Sequence, residues 1–92
     1  VGLLQLLDAE HAALEGKKKA ICRQLFETSI DTLDKGGFHS NAGVACERYG
    51  AYLVDIGEAD GVQPQVLRAV EYYNRWGAKR KVKQLKDRLD AK

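Results

Sequence analysis

The chain has 92 residues, of which 45% are hydrophobic and 30% charged, and a formal net charge of +2 at pH 7. This length holds one domain with one modest core and excludes a second, and the composition is neither that of a disordered segment nor that of a membrane protein. The longest apolar runs, such as Leu3-Leu4 and Leu6-Leu7, are far shorter than a bilayer span, and no secretion-signal pattern opens the chain. From Leu3 to about Glu15, Leu3, Leu7 and Leu14 fall on one side of a helix with Leu6, Ala9 and Ala13 beside them, and Gly16 supplies a stop. From Lys18 onward, Ile21, Cys22, Leu25, Phe26, Ser29, Ile30 and Leu33 recur every three or four residues, a continuous amphipathic stripe that Gly36-Gly37 ends. Ser40 or Asn41 is placed to cap the next helix, whose buried stripe is Ala45, Tyr49, Tyr52, Leu53 and Ile56, closed by Gly57. Glu58 to Gly61 reads as an acidic turn, and Pro64 is tolerated in the first turn of the helix that follows. That helix carries Val66, Ala69, Val70, Tyr73 and Trp76 on its packed side. After a break at Gly77, Val82, Leu85 and Leu89 form the thin stripe of a surface helix.

No stretch alternates with period two over the length of a strand, so the predicted class is all-α. Short connections make consecutive helices antiparallel neighbours, which gives two stacked antiparallel helical hairpins and a C-terminal capping helix in a single domain over residues 1–92. The chain opens with Val1 and contains no methionine, which predicts a piece of a longer polypeptide.

Catalysis needs a nucleophile with its base, paired carboxylates in a cleft, or convergent metal ligands, and none of these is legible. His11 and His39 lack a cysteine or aspartate at ligand or triad spacing, and the crowded Asp55, Glu58 and Asp60 lack the ligand order of a calcium loop. The glycines stand as helix stops and form no phosphate-cradling loop. Enzyme activity, a metal and a cofactor are therefore not expected. Cys22 and Cys46 lie on apolar helix faces without metal-spaced neighbours and are predicted to be buried structural thiols, which favours a reducing, cytoplasmic setting.

Charge is unevenly placed. From Arg75 to Lys92 there are eight Lys/Arg against Asp87 and Asp90, giving +6, so residues 1–74 carry −4. Lys79, Arg80, Lys83 and Lys86 form a candidate basic patch for nucleic acid or an acidic surface, ranked below protein binding because lysines on such a face are usually solvated and suit the end of a helix dipole. Three apolar positions on that helix give little area for membrane insertion.

Helix–turn–helix units repeat along the chain. In the second, Tyr49-Gly50, Leu53, Val62, Val66 and Ala69 resemble the tetratricopeptide pattern of large-Gly, aromatic, Ala, aromatic and Ala, with Gly50 letting two helices approach and Ala69 filling the seam to the next. The string Tyr72-Tyr73-Asn74-Arg75-Trp76-Gly77-Ala78, with Lys81-Val82 and Leu85, looks like the end of tetratricopeptide-like helical arrays in large multidomain signalling proteins of the ATPase or kinase-sensor type. The segment from Leu6 through Phe38 resembles the preceding repeat. The resemblance implies a scaffold or linker that binds protein and carries no catalytic residues.

A stacked array exposes an apolar flank wherever a capping helix is missing. Leu3, Leu4, Leu6 and Leu7 crowd the first helix with more apolar surface than one neighbour covers, which predicts contact there with upstream repeats or with a second copy in a homodimer. Tyr72 falls off its helix's apolar stripe and is the further candidate for partner contact.

Overall fold

The structure is a computed structural model that describes residues 2–90, the side chains of Leu89 and Asp90 excepted. Its five α-helices are α1 (Gly2–Leu14), α2 (Lys19–Lys35), α3 (His39–Asp55), α4 (Val62–Trp76) and α5 (Lys79–Asp90), with a 3-10 turn at Ala59–Gly61 before α4. Among the described residues there is no strand. The predicted helices and their order are all present. α1 packs on α2 and α3 on α4 as hairpins, α2 against α3 joins the hairpins, and α5 rests on α4, so the all-α stack of two hairpins with a closing helix is the observed fold.

Glycine sets the turns. Gly77 follows α4 at φ +85°, a left-handed conformation that costs a residue without Cβ little, and Ala78 N–H then donates to the Tyr73 carbonyl at 2.9 Å. The same closure recurs at Gly37, where Phe38 N–H donates to the Leu33 carbonyl. The entrance to α3 differs from the sequence expectation. Phe38 occupies the N-cap without a side-chain cap, and Ser40 and Asn41 already lie inside the helix.

The core runs between the hairpins. Phe26 of α2 stacks on Tyr49 of α3 with ring centroids 5.3 Å apart and meets Tyr52 at 5.4 Å, while Ile30, Leu33, Cys46 and Leu53 are buried around them. Both cysteines are buried and free, as predicted. Small residues decide how closely the helices approach. Ser29 of α2 is fully buried, and its hydroxyl donates to the Gly2 carbonyl at 2.9 Å, so α2 sits directly against the first turn of α1. At Gly43 a Cβ would lie 2.8 Å from the Tyr73 ring, so the aromatic ring of α4 lies on bare α3 backbone. Gly50, to which the repeat pattern assigns the close approach, would place its Cβ at an ordinary 3.7 Å from Gln65. The close seat is one helical heptad earlier than the resemblance implies.

Candidate functional site: two exposed helix faces

α1 carries two apolar stripes side by side. Gly2, Leu6, Ala9 and Ala12 are buried against the rest of the fold. Leu6, expected among the contact leucines, is only 5% exposed and belongs to the core. Leu3, Leu4, Leu7 and Leu14 are left outside, with Leu4 65% and Leu14 87% exposed. At roughly 100° per residue these four leucines span an arc about 100° wide, the width of a packed helix face. An apolar helix on both sides is the pattern of a buried helix, yet the four leucines on this side of α1 are left exposed.

The direction of this face differs from the outer flank expected from the sequence. Glu10, which shares the Leu3–Leu7–Leu14 side of α1, accepts a hydrogen bond from Arg48 of α3 at 2.9 Å. Leu3 lines an apolar hollow of about 310 Å³ with Leu33, Phe38 and Asn41, and Leu14 lines a larger cleft of about 630 Å³ with Phe26, Arg48, Tyr52 and Asp55. The leucine row therefore borders a groove between α1 and α3. Leu4 lines neither cavity and is exposed, and Ile21 of α2 is a further exposed apolar residue.

α5 divides its charges between two sides. Val82 and Leu85 are buried against the core. Lys81 Nζ and Arg88 Nη1 reach the same carboxylate, Glu47 of α3, at 3.3 and 3.8 Å, and the Tyr73 hydroxyl of α4 donates to it as well. One carboxylate thus joins three helices. Burial raises the Tyr73 phenol well above its ordinary value, and its hydrogen bond to Glu47 adds to the rise. Lys79, Lys83 and Lys86 follow one another at spacings of four and three residues, half a turn from Lys81 and Arg88, and all three are exposed with Arg80 beside them. Among the described residues, Lys79, Arg80 and Lys83 form no ion pair.

Tyr72 is half-buried rather than projecting. Its ring is near His39, centroids 6.2 Å apart, and the Arg75 guanidinium lies 5.5 Å from the ring centre. Burial, followed by the charge of Asp34, raises its phenol. Trp76, placed by helical spacing on the packed side, is instead 61% exposed at the last position of α4. Sequence periodicity assigns it a face but not the length of neighbour that would cover it. In the acidic turn, Glu58 turns back to Arg23 of α2 at 3.2 Å.

No helix among the described residues is long and apolar enough to cross a membrane. No protein-family model, curated protein or solved structure matches this chain.

Proposed function

We propose that this chain is a non-catalytic protein-interaction module, a scaffold or linker segment of a tetratricopeptide-like array within a larger cytoplasmic signalling protein, and that it self-associates through α1. The observation that carries this reading is the outer face of α1. Four leucines at helical spacing are too many for a solvated surface, and the first and last of them line an apolar hollow and a cleft of mixed apolar and charged residues. Burying them removes apolar area from water at about 25 cal/mol per Å², the dominant favourable term in association. Stacked helical hairpins suit the role because neighbouring units extend the same packing surface.

The reading is tested with an apolar fluorescent dye at a protein concentration low enough to keep copies apart. The folded chain should enhance dye emission, and Leu4→Gln with Leu7→Gln should remove most of the enhancement without moving the unfolding midpoint. A wild-type chain that leaves the dye dark, or a double variant that unfolds as a core variant does, overturns the reading.

A further inference from the structure

We infer that the α4–α5 corner, Trp76 together with the row Lys79, Lys83 and Lys86, binds single-stranded nucleic acid, an activity separate from association through α1. Trp76 ends α4 with most of its indole in solvent, and the left-handed Gly77 turns the chain directly into the basic row, so aromatic and cations share one corner of the fold. A single strand offers both complements, phosphates along its backbone and unpaired bases with open π-faces, whereas a duplex keeps those faces stacked inside.

The positions of the other charges support this assignment. Lys81 and Arg88 are spent on Glu47, which fixes α5 in place and leaves the opposite row directed outward. Lys79, Arg80 and Lys83 pair with no carboxylate among the described residues; Lys17, Lys18 and Lys19 pair with none either, but their nearest aromatic in sequence is the buried Phe26. The helix rise of about 1.5 Å per residue spreads Lys79 to Lys86 over about 10 Å. An anionic membrane is a poorer complement, because Val82 and Leu85 are buried and the described side chains of α5 leave no apolar face for insertion. An acidic polypeptide matches the cations but offers Trp76 no flat partner.

Trp76 is the chain's one tryptophan and therefore its own probe. Titrating the full 92-residue chain with oligothymidylate at about 50 mM salt should quench its emission with a Kd of about 1 to 100 μM, in the range of sequence-independent binding. Three neutralised phosphates predict a slope of log K against log salt near −2, from about −0.7 per phosphate on a single strand. In anisotropy with labelled oligonucleotide, Trp76→Leu should weaken binding about tenfold and keep the slope, while Lys83→Gln with Lys86→Gln should flatten it. These positions are exposed, and circular dichroism of each variant verifies that it is folded. Unchanged Trp76 emission at low salt overturns the inference. So does equal quenching by polyglutamate or by anionic lipid vesicles, which would mark a site for negative charge in general.

Discussion

Two glycines seven residues apart separate the contacts that the repeat pattern describes from those the chain makes. Gly43 lies under the Tyr73 ring, where a Cβ has 2.8 Å and the ring is itself held by Glu47. Gly43→Ala should therefore destabilise the fold by about 1–3 kcal/mol through overpacking. Gly50→Ala, with ordinary contact at 3.7 Å, should be neutral or stabilise by up to about 1 kcal/mol through helix propensity. Urea unfolding of the two variants checks both, and equal losses would refute the assigned contact. This difference was not legible in the sequence, because a glycine in a helix marks a close approach without naming the residue that approaches. The same limit applied to α1. Both of its stripes are apolar, and the packed one was selected by Gly2, Ala9 and Ala12, whose small size lets α2 come close enough for Ser29 to bond the Gly2 carbonyl. Large leucines on the neighbouring stripe were the residues left out.

At the scale of elements, existence and order were readable because three- and four-residue apolar spacing names a helix and a following glycine ends it. The anchoring of α5 was readable only in part. Its thin stripe was evident, but the convergence of Lys81, Arg88 and Tyr73 on Glu47 joins residues from three helices and has no sequence spacing. The buried stripe carries the larger share of the energy. Leu85→Ala should cost about 2–4 kcal/mol, since Leu85 is 1% exposed. Glu47→Ala should cost about 1–2 kcal/mol, because its ion pairs with the solvent-facing Lys81 and Arg88 contribute little and the remainder is the Tyr73 hydroxyl bond. Amide hydrogen exchange locates the effect: Glu47→Ala should speed exchange in α5 while leaving α1 and α2 unchanged. Uniform acceleration along the chain would show that Glu47 supports the whole fold rather than the seat of α5.

For the whole molecule, buried titratable groups predict a decline of stability in alkali. Burial pushes the Cys46 thiol up to about 12, with the neighbouring Arg68 charge opposing the shift, and the Tyr73 phenol is raised as well. In the unfolded chain such groups lose their protons near about 8.5 and 10. Below pH of about 8.5 both states hold these protons and stability is level. Above it the unfolded state releases protons that the folded state keeps, so stability falls as pH rises toward 12. Urea midpoints at pH 7, 9 and 10.5 should show a plateau followed by a drop, and a plateau through pH 10.5 would mean that the thiol and phenol are open to solvent. At this scale too stands the proposal that the chain associates through the exposed leucine face of α1. Light scattering across a concentration series measures this most directly. The mass should climb from one chain toward two for the wild type and stay at one chain for Leu4→Gln with Leu7→Gln. A wild-type mass of one chain throughout, or a double variant that associates equally well, would contradict it.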